Sequence, residues 1–406
     1  MPHAATNGRE LKVQTADYTD SDQNPRNPRL QKGFDVGNSA SVKILVVPDK
    51  FKGTLTAKAA AEAIARGWRK ARPDDRLELL PMSDGGDGFG EVMASLLEAK
   101  PQRTITVDAA HRRLKAKWWW VEETKTALIE SAQVIGLALL PRGKFHPFEL
   151  DTFGLGKVFE AAIKRGATNI LIGIGGSATN DGGFGLARAL GWKLLDVCGN
   201  EIHRWTDLCD AKSVRKPKLK NFSHVTVAVD VQNPLLGKRG ATRVYGPQKG
   251  LRDEDFAPAE NCLRRMAAVC RGCFLTANLA TNSGAGAAGG LGFGLAAFLN
   301  AKLEPGFEIF SRCTNLAKRI RSADLVITGE GAIDNQTFMG KGVGEIFKIS
   351  SRLGVRCIAF AGVSALGAKR FEVHALTELT SIEKAKTHPA RWLEKLARAV
   401  ALEFKL

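Results

Sequence analysis

From residue 42 onwards, short apolar runs typical of buried strands alternate with segments whose apolar residues recur at helical spacing. The run KILVVP at 43–48 predicts the first strand. A helix is predicted to follow, with Thr56 as its N-cap and its end before Pro73. The apolar stripe of that helix consists of Ala59, Ala60, Ala63, Ile64 and Trp68.

The same alternation continues along the rest of the chain. Further strands are predicted at 77–81, in NILIGI at 169–174, before Asp230, and in DLVITGEG, RCIAFAGV and HALTELTS near the carboxyl end. Further helices are predicted from SDGGDG (83–88) to about residue 97, over about 153–165 with Gly166 as the stop, and near 289–301. Strands that alternate with helices indicate an α/β protein with much parallel sheet.

The middle of the chain, from about 101 to 284, follows this pattern less regularly. It holds the WWW run at 118–120 and longer loops, which indicates an inserted domain. Residues 42–100 and 285–406 are then predicted to form the other domain. Residues 1–41 are rich in Asn, Asp, Gln, Pro and Arg and poor in aliphatic residues, which predicts a disordered N-terminal tail.

Composition and charge narrow the classes of function. The chain has 406 residues, of which 44% are hydrophobic, enough for about two or three domains with packed cores. Its formal net charge is +17, and the predicted tail holds as many acidic as basic residues, so the excess lies on the rest of the chain. Such a field attracts anionic partners. The basic run KSVRKPKLK at 212–220 lacks interleaved aromatic residues and predicts a solvated loop, with a nucleic-acid-binding protein as an alternative.

The sequence also indicates a compartment. It holds no run of about 18 apolar residues and no apolar segment of a secretory signal at its start, so we expect a cytoplasmic protein without a membrane partner. The seven cysteines are odd in number and scattered, which indicates a reducing environment. Cys270 and Cys273 form one CxxC pair without a second pair or a histidine cluster nearby, so zinc or redox chemistry is not predicted.

Five polar loops that follow apolar segments combine glycine with charged residues. In an open parallel sheet the ligand crevice lies at the carboxyl ends of the strands, so these loops are candidates for a functional site. They are PDKFKGT (48–54), SDGGDG (83–88), GIGGSATNDGG (173–183), VDVQNPLLG (229–237) and TGEGAIDNQT (328–337).

The composition of these loops points to phosphate chemistry. Glycine lets backbone N–H groups approach an anion closely, and the positive end of a following helix favours phosphate. Carboxylates in the same loops would repel phosphate, so their presence predicts a bridging Mg2+. The candidate ligands are Asp84, Asp87, Asp181, Asp230 and Glu330. Further negative charge would be neutralised by Lys50, Lys52 and Lys249.

Two nucleotide-binding fingerprints compete with this interpretation. No G-x-x-x-x-G-K-[ST] motif is present, which argues against a P-loop fold. GIGGSA does satisfy G-x-G-x-x-A after a strand, and Asp196 ends the next apolar run, so an NAD-dependent dehydrogenase stays as an alternative. Against it, Asp181, Gly182 and Gly183 fall where the first helix of a dinucleotide-binding fold should run unbroken.

Six long motifs occur in order over about residues 43–381: PDKFKGTLTA, SDGGDGF, GIGGSATNDGG, VDVQNPLLG with GPQKG, GAGAAGGLG, and VITGEGAIDNQT with MGKG. In order and spacing they resemble the bacterial-type (type I) glycerate kinase family. The resemblance implies a flavodoxin-like parallel-sheet domain made from both chain ends, a second α/β domain inserted in it, and a site between them. It also implies transfer of the γ-phosphoryl group of ATP to D-glycerate with Mg2+, usually giving 2-phosphoglycerate. The expected partners are these small molecules, and no nucleic-acid partner is expected. The protein is expected to be a monomer or a homodimer.

The family's chemistry assigns catalytic roles to residues of these motifs. Phosphoryl transfer needs neutralised charge and in-line positioning more than covalent help. Asp181 is predicted to take the proton of the acceptor hydroxyl, with Asp84 and Asp87 as alternatives. Lys50 is predicted to act on the phosphate or on the glycerate carboxylate.

Binding roles follow in the same way. Asp230 and Glu330 are predicted to hold Mg2+. The predicted substrate and phosphate contacts are Lys52, Ser83, Gly85, Gly86, Gly175, Gly176, Ser177, Thr179, Asn180, Lys249, Gly329, Gly331 and Asp334. Ala332 departs from the family's pattern, which usually has an arginine at that place.

Overall fold

The computed structural model describes residues 41–51, 53–86, 88–217, 224–271, 278–334, 337, 342–365 and 371–405. The tail predicted for residues 1–41 lies outside the described residues except for Ser41. Two predicted site residues, Lys52 and Asp87, lie outside them as well. The unit Ser41–Leu406 is compact and holds both sheets described below.

Helices and strands alternate along most of this unit. In chain order the strands are β1 (Lys43–Pro48), β2 (Arg76–Leu79), β3 (Lys100–Val107), β4 (Arg113–Val121), β5 (Thr126–Glu130), β6 (Asn169–Gly173), β7 (Lys193–Leu195), β8 (Ser213–Arg215), β9 (His224–Val229), β10 (Lys302–Pro305), β11 (Leu325–Ile333), β12 (Arg356–Ser364) and β13 (Glu372–Ala375). The α-helices are α1 (Ala57–Ala71), α2 (Phe89–Leu96), α3 (Ala132–Ile135), α4 (Phe153–Arg165), α5 (Phe184–Ala189), α6 (Ala241–Lys249), α7 (Asp253–Arg271), α8 (Ala287–Leu299), α9 (Gly306–Cys313), α10 (Leu316–Arg321), α11 (Gly342–Leu353), α12 (Ile382–Thr387) and α13 (Pro389–Glu403). None of the helices in the described part of the chain is long and apolar enough to cross a membrane.

Five parallel strands from both ends of the chain form one sheet, in the order β2-β1-β11-β12-β13. Strand β1 pairs with β2 and with β11, so that Val46 lies opposite Leu79 on one side and Ile327 on the other. Counted along the chain, the first strand lies between the second and the third, which is the flavodoxin-like order. The predicted flavodoxin-like sheet is confirmed. Its strand order reverses between β1 and β11, and this is where such a fold opens a crevice for ligands.

A six-stranded sheet has the order β10-β9-β6-β5-β4-β3. Strands β5, β6, β9 and β10 are parallel, whereas β4 pairs antiparallel with both β3 and β5. The α/β class with parallel sheets is thus as predicted. The domain limits at 101 and 284 stay a prediction; β10 at Lys302–Pro305 pairs with β9 although it lies beyond the predicted limit.

Local capping determines where the predicted helices begin and end. Thr56 caps α1, because its hydroxyl oxygen accepts the N–H of Ala59 at 3.1 Å. Gly166 ends α4 in the left-handed conformation with φ 96°, which costs glycine little because it has no Cβ. Both signals were predicted from the sequence, and both are confirmed.

The WWW run packs on both faces of the six-stranded sheet. Successive side chains of a strand point to opposite faces. Trp118 and Trp120 join the large core cluster on one side, and Trp119 joins a smaller cluster with Phe89 and Met93 of α2 on the other. The run therefore forms a strand with two buried faces and fixes α2 against the sheet.

The strand predicted for HALTELTS at 374–381 is wrong beyond Ala375, where β13 ends. Glu378 accepts the backbone N–H of Ala375 at 2.7 Å and so caps the 3-10 turn Leu376–Glu378. Ser381 then caps α12 by accepting the N–H of Lys384 at 3.4 Å. Polar side chains that bind the local backbone thus override the apolar pattern of this segment.

Candidate active site

A cleft of about 2620 Å³ opens near the carboxyl ends of β1, β6, β9 and β11. It is lined by residues from all five loops that the sequence singled out. The predicted site residues in its wall are Lys50, Ser83, Asp84, Gly86, Gly175, Gly176, Ser177, Asp230, Lys249, Glu330, Gly331 and Asp334. Most of the predicted site residues therefore line one cleft, with contributions from strands of both sheets.

Three charged side chains from three different loops meet around Gly86. A Cβ added to this glycine would lie 2.6 Å from Lys50 Nζ, 3.2 Å from Asp84 Oδ1 and 3.7 Å from Asp230 Oδ2. Lys50 Nζ itself lies 4.0 Å from Asp84 Oδ1, and both side chains remain about a quarter exposed. The Lys50 ammonium and the carboxylates of Asp84 and Asp230 thus lie beside a glycine backbone, where a ligand in the cleft can reach them.

Asp49 is a further carboxylate of the cleft that was not among the predicted residues. It follows β1 directly, its N–H donates to the carbonyl oxygen of Gly329 at 2.8 Å, and its carboxylate accepts the N–H of Lys50 at 2.7 Å. Burial, followed by repulsion from the neighbouring Asp84 carboxylate, raises the pKa of Asp49 to about 7. The signal that could have found it is its place as the first acidic residue after the buried strand.

The segment after β11 is folded back on the same wall. Glu330 Oε1 accepts the hydroxyl of Thr337 at 2.9 Å, and Asp334 Oδ1 accepts the N–H of Thr337 at 3.2 Å. Glu330 also adds to the repulsion that raises the pKa of Asp49. Thr337 thus links the two acidic side chains.

The donor chemistry of the cleft fits Mg2+ shared with phosphate. Mg2+ takes oxygen ligands and is usually held by one or two carboxylates, with phosphate and water oxygens completing its six positions. Asp84, Asp230 and Glu330 offer such oxygens in the wall of the cleft. Among the described residues, no group of three or more His, Cys, Asp or Glu is placed to hold an ion by itself. The arrangement therefore suits an ion that needs ligands from a bound phosphate.

Asp181 lies behind the wall of the cleft rather than in it. It is 0% exposed, and its Oδ2 accepts the N–H of Thr152 at 2.9 Å, the hydroxyl of Thr152 at 2.7 Å and the N–H of Gly185 at 2.8 Å, while Oδ1 accepts the N–H of Gly183 at 3.2 Å. Burial, and then the charge of Asp151, raise its pKa to about 6. In this geometry Asp181 holds its loop to α4 and α5, and its predicted role as the base stays a prediction.

Lys249, the last residue of α6, connects that buried layer with the cleft. Its Nζ donates to the carbonyl oxygen of Thr179 at 2.6 Å, and burial lowers its pKa to about 7, partly offset by Asp181. Thr179 and Asn180 are themselves fully buried, and Asn180 donates to the hydroxyl of Thr242 at 3.0 Å. The predicted contacts Thr179 and Asn180 thus support the loop from behind, whereas Lys249 faces the cleft.

Two of the predicted glycines serve close packing. A Cβ on Gly85, whose φ is 97°, would lie 3.1 Å from the backbone of Ala228. A Cβ on Gly329 would lie 2.2 Å from the carbonyl oxygen of Phe360 on the neighbouring strand. Neither residue lines the cleft, and both allow its loops to approach their neighbours.

The structure disfavours a dinucleotide site at GIGGSA. α5 begins only at Phe184, after the loop has passed Asp181, whereas a dinucleotide-binding helix starts inside the motif. The carboxylate of Asp196 binds the backbone of its own turn. Its Oδ1 accepts the N–H groups of Cys198 and Asn200, each at 2.8 Å. The dehydrogenase alternative therefore lacks its two defining features.

Comparison with known proteins shows which family the chain is similar to. The model of the glycerate kinase family matches residues 44–404. A glycerate kinase of Halalkalibacterium halodurans is 37% identical over 372 residues, covering 88% of this chain and 97% of its own length. A glycerate 2-kinase of Escherichia coli is 41% identical over 305 residues, covering 74% of this chain and 80% of its own length.

A solved structure extends the likeness to the fold. It is a crystal structure from Salmonella typhimurium LT2, described as that of a glycerate kinase 2. It superposes with a TM-score of 0.76 at 33% identity, covering 89% of this chain and 98% of that one.

Proposed function

The chain belongs to the glycerate kinase family, and on that premise we propose that it transfers the γ-phosphoryl group of ATP to D-glycerate and forms 2-phosphoglycerate. The name of the Escherichia coli relative, glycerate 2-kinase, supports attack by the C2 hydroxyl. The proposed substrates are small molecules, so nucleic acid has no place in the reaction. We propose that the chain acts as a monomer or a homodimer.

One observation carries the proposal: Lys50 lies among Asp49, Asp84 and Asp230 at the switch point of a flavodoxin-like sheet. Phosphoryl transfer is catalysed mainly by positioning and by neutralising the charge of the transferred group. An ammonium group beside carboxylates that suit Mg2+ supplies both. Hydride transfer does not need such neutralisation of a transferred phosphoryl group.

Asp230 and Glu330 are the residues we assign to Mg2+. When bound, the ion neutralises phosphate oxygens and orients them for in-line transfer. Asp84 lines the cleft beside Lys50, so we assign to it, in preference to the buried Asp181, the proton of the acceptor hydroxyl.

The remaining groups of the cleft bind and orient the two anionic substrates. Lys50 neutralises the transferred phosphoryl group, and Lys249 offers a second cation to an anionic substrate group. Gly86, Gly175 and Gly176 present backbone that a phosphate can approach closely. The site lies between the discontinuous domain (42–100 and 285–406) and the inserted one (101–284), as we propose them.

The proposal is tested with purified protein, Mg2+, ATP and D-glycerate. We expect one ADP for each phosphate ester formed, an ester on the C2 oxygen by phosphorus NMR, and no turnover with a chelator. Lys50→Met should reduce kcat at least about 100-fold, whereas the exposed control Lys238→Met should not. An ester on C3 would change the product only, and an absence of ADP together with tight NAD binding would favour the dehydrogenase.

A further inference from the structure

We propose that Glu130 is a positioning residue for the phosphoryl transfer, because it fixes the loop 83–88 that carries Asp84 into the cleft. This inference rests on the proposed function. Glu130 was not predicted from the sequence, and it does not line the cleft. It ends β5 in the six-stranded sheet, while the loop follows β2 of the five-stranded sheet.

The carboxylate of Glu130 binds the backbone at the end of that loop. Its Oε1 accepts the N–H of Gly88 at 2.7 Å, and its Oε2 accepts the N–H of Gly90 at 3.2 Å. Glu130 is 3% exposed, so water does not compete strongly for these bonds. Both N–H groups belong to the start of α2, where the helix dipole favours a negative charge.

Backbone packing leaves the rest of the loop little freedom to compensate. A Cβ on Gly175 would lie 2.6 Å from Gly86 Cα, and one on Gly306 would lie 2.0 Å from the carbonyl oxygen of Asp84. Asp84 and Gly86 are thus wedged between the turn after β6 and the start of α9. A shift of its anchored end is transmitted to Asp84, since such packed contacts do not deform gradually.

The position of Asp84 is critical for the proposed chemistry. Its Oδ1 lies 4.0 Å from Lys50 Nζ and accepts the N–H of Gly86 at 3.1 Å. A misplacement of about 1 Å far from the reacting atoms can cost about 100-fold in rate. Glu130 therefore acts on the rate through Asp84, without touching the substrate.

Glu130→Gln tests this with little change of volume. The amide offers one acceptor oxygen and turns an NH2 group toward the second N–H, so one of the two anchors is lost. We expect kcat to fall about 10- to 100-fold, with smaller changes in KM for ATP and D-glycerate. Glu130→Asp keeps two acceptor oxygens and should recover part of kcat. Glu123→Gln, an exposed residue of the turn between β4 and β5, is the matched control and should keep wild-type kcat.

Hydrogen exchange of the peptide that covers residues 83–97, and thermal unfolding, are measured on the same samples. Faster exchange in that peptide, with kcat lowered at a temperature where the variant is fully folded, supports the inference. Wild-type kcat in folded Glu130→Gln overturns it, and so does unchanged exchange in the peptide. If Glu130→Gln does not fold, Glu130→Asp decides by the same two measurements. Wild-type enzyme that releases no ADP with D-glycerate defeats the proposed function instead, and this is measured first.

Discussion

At the scale of single residues, burial changes the chemistry of the charged groups near the cleft. Lys249 is 7% exposed and Asp181 is 0% exposed, and both have shifted pKa values because charge is poorly solvated inside the protein. The two differ in position, since Lys249 faces the cleft and Asp181 faces its own loop. The same physical cause thus acts on a residue that lines the cleft in one case and on a structural anchor in the other.

The first prediction concerns the pH dependence that Lys249 imposes. Because its pKa is lowered to about 7, its ammonium is present below this pH and is lost as the pH rises through it. We expect KM for at least one of the two anionic substrates to rise about tenfold between about pH 6 and about pH 8. In Lys249→Met that KM should be high and independent of pH. Initial rates at varied substrate and pH check this, and a flat wild-type profile for both substrates would remove Lys249 from substrate binding.

At the scale of elements, the five-stranded sheet depends on the close contact of its first and last helices. α1 and α13 pack together, and Gly67 of α1 lies at their contact. A Cβ there would lie 2.1 Å from the carbonyl oxygen of Glu394 and 2.9 Å from Ala397 Cβ. The helices α1 and α13, one near each end of the chain, are thus in close contact at a glycine.

The second prediction weighs helix propensity against this contact. Gly67→Ala would favour an isolated helix by about 1 kcal/mol. The clash with a backbone oxygen is the larger effect, so we expect the free energy of unfolding to fall by about 1–3 kcal/mol. Urea unfolding measures it, with the exposed Arg69→Ala on the same helix as the control. Since Gly67 does not line the cleft, kcat of the folded variant should not change; a stabilised variant would contradict the predicted clash.

At the scale of the whole molecule, the formal net charge of +17 faces two anionic substrates. The lining of the cleft holds seven Asp and Glu and seven Lys and Arg, so its own formal charge is balanced. A surrounding positive field raises the local concentration of anions and is screened by salt over about 10 Å at 0.1 M. The positive charge that favours substrate approach therefore lies outside the cleft.

The third prediction follows from that field. Raising KCl from about 0.05 M to about 0.3 M at constant free Mg2+ should lower kcat/KM about twofold or more, while kcat changes less. Steady-state rates over the series measure both. A flat profile would show that the charge does not steer substrates, and retention of the protein on nucleic acid at the same salt would favour the nucleic-acid-binding alternative.

The sequence by itself determined the elements and most of the cleft loops. Strands and helices have short periods, so KILVVP and the apolar stripe of α1 could be predicted locally. The same holds for the helix start at Thr56 and the helix end at Gly166. The motifs that follow the strands predicted Lys50, Asp84 and Asp230, because carboxyl ends of parallel strands meet at one edge.

Only the tertiary structure decided which charged residues face the cleft and which support it. Asp181 is in a promising loop but is buried by Thr152 and the start of α5. Asp49 has a raised pKa because burial and Asp84 act on it together. Glu130 reaches Gly88 across 42 residues and from the other sheet. Burial and charge depend on neighbours that are distant in the chain, so a local pattern of residues does not contain them.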